Sequence, residues 1–246
     1  MVLLPVIDLQ AGMVVHGRAG QRDSYRPVRS SLCADAEPAS VAEAFQNLGF
    51  DETYVADLDA IGGQAFDRRS LDTISRCFSR IWIDAGTGDL QQAEQIMSWA
   101  GGRDIRLVCG LESLPSPQHL EPLVHGFHDQ LVVSLDLVRG QVKSPVARWS
   151  SLAPDQVARE LIELGVSRLI LLDLSRVGVD QGTGTRELCR RVRQFDEGIE
   201  LICGGGVRDS QDIRELLADG CQRVLVASTL HDGRLGVSEV KAFAEL

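Results

Sequence analysis

Asp8 and Asp136 stand at the ends of two apolar runs, Leu3 to Leu9 and Leu131 to Leu135, in the matching contexts Ile7-Asp8-Leu9 and Leu135-Asp136-Leu137. Opposed carboxylates suit a reaction that removes one proton and delivers another. Mutual repulsion can push their pKa values apart, leaving one as acid and one as base. Sugar isomerisation needs such a pairing. A single strand-end aspartate is read more simply as a cap for the next loop or helix, and the matched pair shifts the reading toward chemistry. Asp57 and Asp173 form a second, lesser pair, in Val55-Ala56-Asp57-Leu58 and Leu171-Leu172-Asp173-Leu174. Asp173 joins the catalytic candidates and Asp57 the ligand-orienting ones; satisfying loop amides is the alternative for both.

The third chemical feature is Cys203-Gly204-Gly205-Gly206-Val207-Arg208-Asp209, between an apolar run and a helical pattern. Three glycines at a strand-to-helix junction bring backbone N–H groups close to a ligand, and the following helix start favours an anionic oxygen. A second strand end, Ala227-Ser228, completes the pair of loops with which a βα-barrel holds a phosphate. A plain tight turn is the competing reading of the glycines.

These residues need elements to position them. Apolar runs predict strands at Leu3 to Leu9, Asp51 to Ala56, Arg80 to Ile83, Ile105 to Cys109, Leu131 to Leu135, Arg168 to Leu172, Ile199 to Ile202 and Arg223 to Ala227. Helical patterns alternate with them: Pro38 to Leu48, Arg69 to Cys77, Leu90 to Trp99, Pro117 to Val124, Pro154 to Leu164, Arg186 to Phe195, Ser210 to Leu217 and Val237 to Glu245. Eight such alternations over 246 residues predict an α/β fold, a (β/α)8 TIM barrel forming one domain. The halves repeat: Ile81-Trp82-Ile83-Asp84-Ala85-Gly86 lies over Leu201-Ile202-Cys203-Gly204-Gly205-Gly206 at a distance of 120 residues. A period near half a barrel predicts twofold-related half-barrels, about 1–125 and 126–246. In a barrel the first and fifth strands lie across the axis, so Asp8 and Asp136 face each other over the mouth.

Between the first strand and first helix runs a polar loop, Gly17 to Pro27, with Arg18, Arg22 and Tyr25 as ligand-contact candidates; long loops in compact domains are usually functional or mobile. The net charge of −10 argues against nucleic acid or an anionic membrane as main partner, and no segment has the apolar length of a membrane span. None of the six cysteines sits in a C-x-x-C pair or at zinc spacing, so no metal and no cofactor are expected. With no signal peptide read at the N-terminus, a cytoplasmic protein with reduced thiols is expected. Cys109 and Cys203 read as small buried hydrophobes, Trp82 as core, Trp99 as helix packing and Trp149 as a residue at the mouth. The five histidines read as surface or loop residues.

The symmetric halves, the opening Pro5-Val6-Ile7-Asp8-Leu9-Gln10-Ala11-Gly12-Met13-Val14-Val15 and the Gly-Gly-Gly-Val-Arg turn resemble the histidine-biosynthesis barrel family. That family contains ProFAR isomerase and the cyclase subunit of imidazole glycerol phosphate synthase. The resemblance covers the whole chain. It implies that Asp8 and Asp136 are the acid/base pair of an Amadori rearrangement, and that Gly204 to Gly206 with the strand-8 loop hold one phosphate. Asp136 sides with the isomerase rather than the cyclase. Asp84-Ala85-Gly86-Thr87-Gly88 departs from the glycine turn that holds the isomerase's other phosphate, and Leu172 replaces a hydroxyl residue. The segments Gly20 to Pro27 and Ala56 to Ile61 look like a less characterised branch, some of whose members are associated with one-carbon metabolism. The expectation is an isomerase-like acid/base enzyme for a small phosphorylated sugar or aminosugar, a monomer or small homo-oligomer. The alternatives are a cyclase or lyase on the same scaffold, or a non-catalytic phosphate-ligand binder.

Overall fold

The computed structural model describes residues 1–244. Eight strands form the frame: β1 (Leu3–Gln10), β2 (Glu52–Asp57), β3 (Arg80–Asp84), β4 (Asp104–Gly110), β5 (Leu131–Val138), β6 (Arg168–Asp173), β7 (Glu200–Gly204) and β8 (Arg223–Val226). Each pairs in parallel with the next, and β8 returns to β1 through Leu3↔Val224 and Leu4↔Leu225, so the sheet closes. Between them run α1 (Pro38–Asn47), α2 (Arg68–Ile74), α3 (Leu90–Ala100), α4 (Leu120–Phe127), α5 (Pro154–Glu163), α6 (Arg186–Phe195) and α7 (Ser210–Ala218), with α8 (Val237–Ala244) last. This is the (β/α)8 barrel expected from the alternation. Glu245, placed in the last helix by its pattern, lies outside the described residues.

The strands alternate their side chains between two cores. Leu4, Tyr54, Trp82, Val108, Val132, Ile170, Ile202 and Leu225 fill the barrel interior. The intervening residues, Ile7, Val55, Ile83, Leu107, Val133, Leu171 and Cys203 among them, face the helices. Cys109 and Cys203 therefore point outward into apolar packing. Below the interior layer, Glu52 accepts from Arg80 and Arg223 at 3.1 Å each, and Glu200 accepts from Arg168 at 3.1 Å and Arg223 at 3.2 Å. Trp82 Nε1 also donates to Glu52, at 2.9 Å. Alternating charges thus close the floor of the barrel, opposite the mouth.

Two hairpins were not expected. Ala11 (φ 50°) and Gly12 (φ 74°) turn β1 back into an antiparallel strand, Met13–His16, and Arg139 (φ 54°) and Gly140 (φ 77°) turn β5 back into Gln141–Val142. Two successive positive φ angles match the twist of the flanking strands. The two turns occupy equivalent places after Asp8 and Asp136, so the sequence repeat extends to backbone geometry. Trp149 does not reach the mouth. It lies in a helical turn, Ala147–Ser151, fully buried, its Nε1 donating to Glu160 at 3.1 Å. Trp99 packs edge-on against Phe66 and donates to Asp72 of α2, as a helix-packing residue should.

Candidate active site

The inward parity of β1, β3 and β5 brings Asp8, Asp84 and Asp136 into one cavity at the C-terminal end of the barrel. Asp84 and Asp136 flank Gly110: a Cβ there would stand 3.8 Å from an oxygen of each. Asp136 Oδ1 accepts from the Ser134 hydroxyl at 2.7 Å, whereas its Oδ2 has no donor among the described residues. Asp84 accepts from the Tyr54 hydroxyl and from the Gly86 N–H, each at 3.2 Å. Asp8 has no donor at either oxygen among the described residues.

Burial penalises charge on all three. It pushes Asp8 up to about 6, against the pull of the Arg22 guanidinium. Burial and then the Glu112 carboxylate push Asp136 up to about 6, against the Ser134 hydroxyl and Lys143. Burial and the Asp136 carboxylate push Asp84 up to about 7. Three carboxyl groups that exchange protons near neutrality thus share one cavity.

Glu112, in the turn after β4, has no signal in the sequence beyond its charge. Its Oε1 accepts from Arg22 at 2.6 Å and its Oε2 pairs with Lys143, so one carboxylate ties the first loop to the β5 hairpin. Burial raises its pKa, but these two cations hold it below the ordinary carboxylate range. Lys143 is fixed in turn, its N–H donating to the Asp136 carbonyl at 2.8 Å. The first loop also reaches the loop after β6: Ala19 N–H donates to Val177 O at 2.8 Å. Arg22 and Tyr25 line the cavity; Arg18 is exposed and outside it.

Across the cavity, Gly205, Gly206, Val207, Ala227 and Ser228 form the opposite wall. Gly205 (φ 78°) and Gly206 (φ 88°) hold a backbone that only glycine adopts freely. A Cβ on Gly204 would lie 2.5 Å from Leu225 Cβ, and one on Gly206 2.6 Å from Arg176 O. Neither the Gly206 nor the Val207 N–H meets a protein acceptor among the described residues. The helix start expected to reinforce this cradle is already satisfied: Asp209 accepts from Gln211 and Asp212 N–H at the start of α7.

Asp57 and Asp173 depart from the expected site roles. Their neighbours Ala56 and Leu172 face the cavity, so alternation turns both carboxylates away. Asp57 accepts from Ala60 N–H at 3.1 Å and Asp67 N–H at 2.6 Å. Asp173 accepts from the Arg139, Gly140 and Ser175 amides at 3.0–3.2 Å and from the Ser175 hydroxyl at 2.5 Å. Both are amide-satisfying residues of the loops, the alternative weighed from the sequence. Among the described residues no cluster of side chains could hold a metal ion and no helix is long and apolar enough to cross a membrane.

Residues 2–236 match the family model described as histidine biosynthesis protein. Among curated proteins, the 1-(5-phosphoribosyl)-5-((5-phosphoribosylamino)methylideneamino) imidazole-4-carboxamide isomerase of Novosphingobium aromaticivorans is 31% identical, over 100% of both chains. The enzyme of that name from Zymomonas mobilis is 29% identical over 99% of this chain and 96% of its own. An uncharacterised protein of Methanocaldococcus jannaschii is equally similar, 29% identical over 98% of this chain and 97% of its own. With a family match over nearly its whole length and a full-length relative above 30% identity, the chain belongs to the histidine biosynthesis protein family.

Proposed function

We propose that this protein is an acid/base isomerase of a small phosphorylated sugar or aminosugar, with Asp8 and Asp136 as the proton-transfer pair and one phosphate held by the Gly204–Val207 and Ala227–Ser228 loops. The observation that carries the reading is the arrangement of one cavity: two carboxyls on strands across the barrel from each other, and, on the opposite wall, the Gly206 and Val207 N–H groups, which meet no protein acceptor among the described residues. The relatives named as isomerases act, by their names, on a compound with two phosphoribosyl groups. Here Asp84 stands where the second cradle would be, so a substrate with a single phosphate is the better fit.

For an aminoaldose the chemistry follows from two carboxyls. The acid protonates the ring oxygen; the C1–O bond breaks as the nitrogen lone pair forms a C=N bond. The base removes the C2 proton, and that electron pair forms the C1=C2 enolamine as nitrogen regains its lone pair. Loss of the O2 proton and return of a proton to C1 give the aminoketose. Protons removed and delivered balance, so no redox partner is needed. Asp8→Asn and Asp136→Asn should each lower turnover by about 100- to 10,000-fold with the fold intact. Because burial raises both groups to about 6 in the free protein, kcat/KM should trace a bell against pH, with its apparent limbs belonging to the pair. Wild-type turnover in either variant on the true substrate would remove that aspartate from the mechanism.

A further inference from the structure

We propose that the end of the cavity remote from the glycine cradle selects a nitrogen cation, so that the ligand is a monophosphate carrying an ammonium or amidinium group. This rests on the reading of the Gly204–Val207 and Ala227–Ser228 loops as the single phosphate site. The two equivalent turns of the barrel show why the ends differ. After β7 the turn begins at Gly204 and leaves the Gly206 and Val207 N–H groups without protein acceptors among the described residues. After β3 it begins at Asp84, whose carboxylate takes the Gly86 N–H at 3.2 Å, so the counterpart of the Gly206 amide is consumed. The next two positions are alike in both turns: Thr87 and Val207 N–H are without acceptors among the described residues, Gly88 N–H is taken by Gln92 at 2.7 Å and Arg208 N–H by Asp212 at 2.9 Å. What one turn offers an anion, the other supplies as an anion of its own.

The surroundings point the same way. Asp136 is 5% exposed, lines the cavity and keeps Oδ2 without a donor among the described residues. Asp84 is 6% exposed, and the absent side chain of Gly110 leaves an opening that an oxygen of each carboxylate faces. The cations at this end, Arg22 and Lys143, each pair with Glu112, which offsets part of their charge. Asp8, Asp84, Asp136 and Glu112 together outnumber the two cations. The walls between are apolar, Ala56, Leu58, Ile61 and Leu172, which strengthens a charge interaction made there. An N–H donor meets acceptors at this end; a second phosphate meets like charge.

The test is titration calorimetry with three matched series: ω-aminoalkyl phosphates, n-alkyl phosphates and α,ω-alkane bisphosphates. The wild type should bind the amino compounds at least about tenfold tighter than their alkyl counterparts, with the bisphosphates weakest. Asp84→Asn, which keeps the shape and removes the charge, should erase that preference. Gly206→Ala should weaken all three series alike. Equal binding of amino and alkyl phosphates, or tightest binding of bisphosphates, would overturn the inference; if that binding still depends on Gly206, the phosphate reading stands. Absence of binding by every phosphate compound would overturn that reading and the inference with it.

Discussion

An ionised Asp84 works against the folded state, because burial and the Asp136 carboxylate both disfavour its charge. Its pKa rises on folding from 3.8 to about 7, so the folded protein holds a proton that the unfolded chain releases. That stabilisation is complete below the unfolded value and fades as the pH climbs through the folded one. Asp84→Asn should therefore stabilise the protein on the alkaline side of pH 7 and change little under acid conditions. The expected gain is on the order of 1 kcal/mol, or about 2–4 °C in Tm for a chain of this size. Thermal melts at matched pH values check it; a stabilisation that is the same at all pH values would show that lost charge is not the cause. Asp8 and Asp136 were legible in the sequence because each sits in an apolar strand with a partner in the same context. Glu112 was not: Arg22 lies 90 residues away, and loop residues carry no periodicity that would have joined the two.

Alternation within an element explains both what was read correctly and what was not. Leu172 and Asp173 are neighbours, and a one-residue uncertainty in a strand's end decides which of them faces the cavity. The register Leu135↔Leu171 and Asp136↔Leu172 puts Leu172 on the cavity face and turns Asp173 to the hairpin behind it. The same parity places Asp57 outside and Ala56 inside. The glycine triplet was legible because its geometry is local, whereas the hairpin turns at Ala11-Gly12 and Arg139-Gly140 were hidden by a non-glycine residue at positive φ. Asp173 therefore belongs to stability. Asp173→Ala leaves the Arg139, Gly140 and Ser175 amides without their acceptor and should destabilise the protein by about 1–3 kcal/mol in urea unfolding. Its effect on kcat should be far smaller than that of Asp136→Asn. A loss of turnover as deep as that of Asp136→Asn, with unchanged stability, would return Asp173 to the chemistry.

At the scale of the whole molecule, the alternation of apolar strands and amphipathic helices was enough to give the barrel, since a parallel sheet of this length buries both faces only under helices. The floor of charges was not legible: Glu52 and Arg223 are 171 residues apart and meet only because β2 and β8 both border β1. That closing contact has a kinetic consequence. The first and last strands must find each other across nearly the whole chain, the costliest loop closure in the fold. Asp8 rides on the strand that makes this contact, so Asp8 and Asp136 come to line one cavity only when the ring shuts. In refolding from urea, helical signal should return in an earlier phase, and catalysis with the slowest structural phase, at the rate at which β1 is captured between β8 and β2.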